Sequence, residues 1–488
     1  MLVLPFFSIL ALAPLTQGLF DFPLQTAFQA ALVLPCLLWG LRALRGATVP
    51  SVLFSRTSAV VCAVAALSFC SMLASPVRPL IWPEWGNAAV GLLIFVFSGF
   101  LSAEDREKTA LALRLGAWGT VVICAVQVFV TKDPEGVSGS LINPNALAFF
   151  AVMTLPWALS RKDWGLALAL SLPLLLTRSA GAAVALSAAA GLYAWNSLAG
   201  EKAWKRLSLL VLFAAVLSLA NSLLQPQSII NRLFWWKSAF LMFADRPLLG
   251  FGHAAFTFIY PAYSALAPRA MHTIYAHNYY LEFMAENGVV CAALWFCLLA
   301  YAVKKKTGIA KYSLVAALAH SVIDFGLSVP ANFWVFCYLA APENKGGLSI
   351  PLRVSRAANL LFPAAAAVMA AAWINLSVDH NRALRESSRA VLCYSKGALE
   401  ESKSGFKKAL EIENGSGTLE ALGKIDYRLG LERQDRGLLF SSAVFFERAL
   451  LLNPYSASAY RDLAAVYRAA GENSLLAGLQ ERKSKVFR

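Results

Sequence analysis

The 488-residue sequence predicts an all-α polytopic membrane protein of about thirteen transmembrane helices, followed by a soluble helical tail. Three observations carry this. The chain is 58% hydrophobic and 15% charged, with mean hydropathy +0.58. Soluble domains run nearer half apolar and a quarter charged, and cannot hide this much apolar surface from water. Apolar runs recur near the roughly 20 residues that a helix needs to cross a bilayer core. Charge concentrates at the end: residues 377–488 carry 32 charged side chains, 18 basic and 14 acidic, against 39 in residues 1–376. A soluble enzyme, a collagen and a disordered chain are thereby excluded.

The net charge of +15 does not gather on one face or tail, as nucleic-acid binding requires. It falls in small basic clusters between apolar spans. Spans read near 3–20, 24–41, 57–75, 87–102, 109–130, 144–160, 164–177, 179–196, 207–223, 288–303, 309–326, 328–342 and 357–376. The first lacks the basic start of a signal peptide and is taken as a span rather than a leader. With the N-terminus inside, the inner connections carry 17 Lys and Arg and the outer ones seven, as the positive-inside rule demands. An odd number of spans puts residues 377–488 outside, on the same side as the long connection 224–287. The membrane domain is therefore 1–376 and the tail 377–488.

In the tail, Phe446, Ala449 and Pro454 are followed by Tyr460, Leu463, Tyr467 and Gly471. Leu429 with Gly430, and Phe406 with Ala409, fit earlier copies. These offsets resemble the 34-residue tetratricopeptide pattern, whose stacked helix pairs form a groove for a peptide or protein partner. Seven of eight cysteines fall in apolar spans and only Cys393 lies outside, so no disulfide framework or metal spacing is present. The five histidines are dispersed, although His272 and His277 share one connection.

Several segments can carry chemistry. Asn143 before Pro144 is a helix cap with proline at the first helical position. The amides of Asn143 and Asn145 could instead bind sugar hydroxyls or phosphate at the outer mouth of a span. Arg178 stands amid long apolar runs, where an arginine costs about 2.5–3.5 kcal/mol and is rarely idle; the bland alternative is a short outer turn with a snorkelling side chain. In residues 231–256, helical spacing puts Trp236, Ala239 and Phe243 on the face of Arg232. That helix should stop near Asp245–Arg246, before Pro247, with Gly250 and Gly252 forming a turn. Trp235, Trp236 and Phe240 also suit an interfacial anchor, which does not need Arg232. His277 and Asn278 should open a helix that runs to about Glu286 and stops at Gly288. A helix N-terminus favours a neutral imidazole, able to accept a proton; the alternative is a capping histidine. Asp324 lies near the outer end of a span, where a structural bond to a neighbouring helix also fits. Two arginines suit a pyrophosphate, and no Asp-x-Asp motif faces outward to hold a metal-bound nucleotide-sugar.

Taken in order, these motifs resemble the O-antigen ligase / O-antigen polymerase (Wzy-C) family of bacterial membrane glycosyltransferases. The resemblance rests on Gly139 with Asn143-Pro144-Asn145, Thr177-Arg178-Ser179 with Gly181, and Arg232 with Trp236. It continues through Asp245-Arg246-Pro247-Leu248-Leu249-Gly250-Phe251-Gly252, His277-Asn278 with Tyr280-Leu281, Glu286, Gly288 and Asp324, and covers about residues 80–340. Tyr275 stands where family members often carry a second histidine, and Asn287 where they often carry threonine. The resemblance implies a GT-C-like, metal- and cofactor-independent enzyme of the bacterial inner membrane. Its donor would be a glycan on undecaprenyl pyrophosphate at the outer face, and its acceptor lipid A–core, another lipid-linked glycan or a protein hydroxyl. Arg178 and Arg232 would hold the pyrophosphate, His277 would assist the acceptor hydroxyl, and Asn143, Asn145, Arg246, Asn278 and Asp324 would line the substrate site. A transporter would share the spans, but no internal repeat of spans is evident and the polar groups gather in one outer connection rather than at the midplane.

Overall fold

The computed structural model describes residues 3–31, 49–50, 56–99, 101–130, 136–197, 226–264, 273–342, 349–350 and 356–487. They are helical apart from a two-residue antiparallel pairing of Val49–Pro50 with Ser349–Ile350. The predicted span 207–223 and His272 lie outside the described residues, and the span 24–41 is described only to residue 31.

The chain begins with α1 (Val3–Leu12), two short 3-10 turns and α2 (22–31). It continues through α3 (Arg56–Leu73), α4 (Arg78–Ser98), α5 (Ala103–Phe129), α6 (Pro144–Ser160), α7 (Trp164–Thr177) and α8 (Ala180–Ser197). At the centre is α6, with every side chain from Ala146 to Thr154 fully buried. A helix apolar on all sides is a core helix or a membrane span; α6 packs with α5, α7, α8 and the later helix Lys311–His320. Pro156 and Pro173 fall inside α6 and α7 without ending them.

The described part of the stretch read as an outer connection, residues 226–264 and 273–287, is folded. It holds α9 (Pro226–Asp245), a turn through Gly250 and Gly252, the short α10 (Phe256–Ile259), a 3-10 turn and the start of α11 (Tyr279–Lys305). Its own apolar cluster includes Trp235, Met242, Phe251, Phe256 and Tyr260. Gly288 breaks α11 at φ 74°, ψ 172°. Pro247–Gly252 fills the break: Phe251 N–H donates to Ala285 O (3.0 Å), Gly252 N–H to Glu286 O (2.8 Å) and Val289 N–H to Pro247 O (2.8 Å). The Ser71 hydroxyl also bonds the Leu249 and Glu286 carbonyls. Backbone groups released by the break are thus paired within the protein, as a membrane-embedded helix requires.

The spans read at 309–326 and 328–342 are instead two short helices, α12 (Lys311–His320) and α13 (Pro330–Ala340). At 1.5 Å per residue each covers only about 15 Å, half a bilayer core. Between them residues 321–329 form turns, and Asp324 lies in that break. Among the described residues, α4, α5 and α11 are long and apolar enough to cross a membrane, and residues 4–15, 57–73, 144–160 and 164–177 form shorter apolar helices.

A single helix, α14 (Arg356–Ser395), runs through position 377 without a linker. It is followed by α15 (Leu399–Ile412), α16 (Ser416–Glu432), α17 (Arg436–Leu452), α18 (Ala457–Ala470) and α19 (Asn473–Val486). Consecutive helices pack together, and Phe406, Ala409, Leu429, Phe446, Ala449, Tyr460, Leu463 and Tyr467 are buried between them. The tail touches the rest of the chain. Tyr455, Val486 and Phe487 pack on the cluster of the folded outer segment, and Tyr455 meets Phe251 edge-on, centroids 6.3 Å apart. His380 meets the rings of Phe22 and Trp82.

Candidate active site

The site is built around the turn between α12 and α13. The Asp324 carboxylate is 1% exposed. Oδ1 accepts the Phe325 N–H (2.9 Å) and lies 3.2 Å from His277 Nδ1. Oδ2 lies 3.5 Å from an Arg232 terminal nitrogen. Neither approach is an aligned hydrogen bond, and His277 Nδ1 and Oδ2 have no hydrogen-bond partner. An ionised carboxylate this deep is tolerated only with cations beside it.

Arg232 comes from α9. It donates through Nε to Ile323 O (3.2 Å) and through a terminal nitrogen to Ser228 Oγ (2.6 Å). These bonds use two of the five guanidinium donors, fixing the fork with others unspent. His277 comes from the segment before α11, where its backbone takes left-handed φ 52°. The ring stacks on Trp235 (centroids 4.7 Å, 24° between planes) and meets the Phe325 edge at 4.8 Å. The Trp236 indole N–H donates to His277 O at 3.1 Å. Asn278, rather than His277, caps α11 by accepting the Leu281 N–H. Among the described residues the His277 Nε2 edge has no partner. With Asp324 beside Nδ1, the proton belongs on Nδ1 and Nε2 is the free base.

Two glutamates hold this segment in place. Glu282 accepts the Ala276 N–H (2.6 Å) and the Ser328 hydroxyl (2.8 Å), and Glu286 accepts the Phe256 N–H (3.0 Å). His253 lies 3.8 Å from Glu286, and burial lowers its pKa to about 4. Burial first, then the carboxylates Glu84, Glu282 and Glu286, push the Tyr275 phenol well above its ordinary range, so it stays protonated.

Arg178 ends α7 in a left-handed conformation (φ 47°), exposed and without a partner among the described residues. Three residues on, Gly181 packs against His320: a Cβ there would lie 2.9 Å from His320 Nε2. His320 is fully buried with neither ring nitrogen bonded. His320 ends α12, four residues before Asp324. At the opposite end of α7, Arg114 pairs with Asp163 and Arg161 with Glu107.

Of the predicted residues, the structure brings Arg232, His277 and Asp324 into direct contact; Arg178 makes no contact with them, and its link to the site is Gly181, three residues on, against His320. Asn278 adjoins as a cap. Asn143 is also a cap, its Oδ1 taken by the Asn145 N–H (2.8 Å), and neither asparagine contacts the cluster. Arg246 stands over the Phe251 ring at 4.6 Å and does not join it. Trp235 is buried against His277 rather than anchoring at an interface. Sequence reasoning missed Trp235, Phe325, Glu282 and His320; the four-residue spacing of His320 and Asp324 was the available signal.

Arg232 of α9, His277 before α11 and Asp324 between α12 and α13 thus meet in one cluster. Residues 164–296 match the O-antigen ligase family. No curated protein matches the chain. The O-antigen ligase match begins at the first residue of α7 and ends inside α11, so it contains Arg178, Arg232, Arg246, His277 and Asn278. Asp324 and His320 lie beyond it. The O-antigen ligase match ties the chain to glycosyl transfer in O-antigen and lipopolysaccharide assembly at a membrane.

Proposed function

We propose that the protein transfers an oligosaccharide or polysaccharide from undecaprenyl pyrophosphate to an acceptor hydroxyl, on lipid A–core or a similar glycolipid, at the outer face of the bacterial inner membrane. The observation that carries this reading is the convergence of Arg232 and His277 on the buried Asp324; Arg178 stands three residues before Gly181, which packs against His320. Arg178 and Arg232 hold the pyrophosphate and neutralise charge as it leaves. His277 Nε2 takes the proton of the acceptor hydroxyl while the hydroxyl oxygen bonds the sugar anomeric carbon. The bond from that carbon to the phosphate oxygen breaks, and undecaprenyl pyrophosphate departs. Asp324 orients His277 and stabilises the imidazolium that forms, as in other acid–histidine pairs. The chemistry as written calls on no metal.

The tail lies on the side of the folded outer segment, because Tyr455 and Phe487 touch it. This supports a tail on the same side as that segment, which the distribution of basic residues reads as outside. We read the tail as a tetratricopeptide-like module that binds a protein chain. Its position beside the site favours a second reading, in which the acceptor is a protein hydroxyl; an O-antigen polymerase shares the same machinery.

Purified protein with a lipid-linked glycan donor and a glycolipid or protein acceptor tests the assignment. Losing one charge-assisted contact in the transition state costs about 1.5–3 kcal/mol, roughly 10- to 150-fold in rate. Arg178→Ala and Arg232→Ala should weaken donor use by that factor, and His277→Ala should lower turnover while leaving donor binding intact. Chelators should have no effect. Full activity in the Arg178→Ala/Arg232→Ala double variant would end this reading.

A further inference from the structure

The helix α9 presents an apolar row to the outside. Ile230, Leu233 and Phe240 are 45%, 56% and 55% exposed, with Ile229 flanking them and Lys237 among them. The opposite arc, with Trp235, Ala239 and Met242, is buried on the outer-segment cluster. With Arg232, Lys237 and Asp245 along its length, α9 is not among the helices apolar enough to cross a membrane. An exposed apolar row on such a helix marks a surface that binds something apolar.

The helical wheel indicates what that is. At 3.6 residues per turn, Arg232 and Trp236 fall between the exposed row and the buried arc, with Arg232 roughly 100° round from Leu233. A molecule lying along the row would run for about 15 Å over hydrocarbon and meet, on its polar side, a guanidinium fixed by Ser228 and Ile323 with donors unspent. A long hydrocarbon ending in a phosphate has that shape and chemistry. We propose that the Ile230–Leu233–Phe240 row receives the polyprenyl chain of the donor lipid and so delivers its pyrophosphate to Arg232. This rests on the donor assignment above. Lys237, inside the row, lays its stem along the lipid with its ammonium toward the head-group level.

The test compares two synthetic donors with the same glycan pyrophosphate, one on an undecaprenyl chain and one on a two-isoprene chain, using the full-length protein in detergent. Leu233→Gln/Phe240→Gln should raise KM for the long-chain donor about 10-fold or more, with KM for the short-chain donor and kcat for both unchanged. Leu233→Ile/Phe240→Leu, which keeps the row apolar, should retain the wild-type KM for both and so separates loss of the lipid contact from loss of folding. Equal KM changes for the two donors, or none, would overturn the proposal and leave α9 as an anchor in the bulk bilayer. Wild-type protein that uses neither donor would overturn the donor assignment itself, and this inference with it.

Discussion

Replacing Gly288 by alanine should cost more than any other single methyl added to the outer segment. Gly288 sits at φ 74°, ψ 172°, a region that is essentially glycine-only. Holding a side chain there costs about 1–3 kcal/mol. A Cβ would also fall well inside contact distance of the Leu248 carbonyl, which is backbone and cannot swing aside. The Pro247–Gly252 turn must then lift off α11. Three backbone hydrogen bonds go with it: Phe251 to Ala285, Gly252 to Glu286 and Val289 to Pro247. At about 0.5–1.5 kcal/mol each, their loss brings the total to about 3–7 kcal/mol. Gly308 is the control. It has φ +62° but open space around its missing Cβ, so alanine there should cost only about 1–2 kcal/mol. Thermal unfolding of the two variants in one detergent measures the difference, and transfer activity should fall with Gly288→Ala, because His277 and Asn278 lead into the displaced half of α11. Equal melting temperatures for Gly288→Ala and Gly308→Ala would refute the reasoning.

Asp324→Asn keeps size but removes the charge between Arg232 and His277; turnover should fall roughly 10- to 150-fold in a steady-state transfer assay while donor KM stays near wild type, and wild-type turnover would show that Asp324 is only structural. His253 predicts an acid limb. Its pKa falls from 6.5 to about 4 on burial, so the folded protein keeps it neutral where the unfolded chain protonates it. Stability is therefore full above about 6.5 and is lost as pH falls from 6.5 toward 4. His253→Gln should flatten that limb in melts run across the window, and an unchanged limb would place the effect on other groups.

Much of the local architecture was legible in the sequence. The bounds of α7 follow from an apolar run between Asp163, which caps its start, and Arg178. The end of α9 at Asp245 follows from Pro247, because the residue before a proline resists helix. A helix opening at His277–Asn278 and a break at Gly288 follow from residue chemistry alone. The same kind of evidence misled at 309–326 and 328–342. Hydropathy there is continuous, but the chain breaks at 321–329, where Tyr279 N–H donates to Ser321 O, the Ser328 hydroxyl donates to the Glu282 carboxylate, and Arg232 Nε donates to Ile323 O. Those partners lie about 40–90 residues away in sequence, and no local window registers them.

The sequence by itself determined that the chain is a helical membrane protein with a charged helical tail, and it named Arg178, Arg232, His277 and Asp324 as candidates. These conclusions depend on composition, periodicity and capping, which act within a few residues of the chain. Only the tertiary structure decided that Asp324 is buried between Arg232 and His277, that Trp235 packs on the imidazole, that Glu282 and Glu286 pin the segment before α11, and that Asn143 serves as a cap while Arg246 rests on Phe251. Each of those roles depends on which groups lie within a few ångströms across helices far apart in sequence. In a bundle, that is set by the joint packing of all the helices and by the need to pair every buried charge and every freed backbone group.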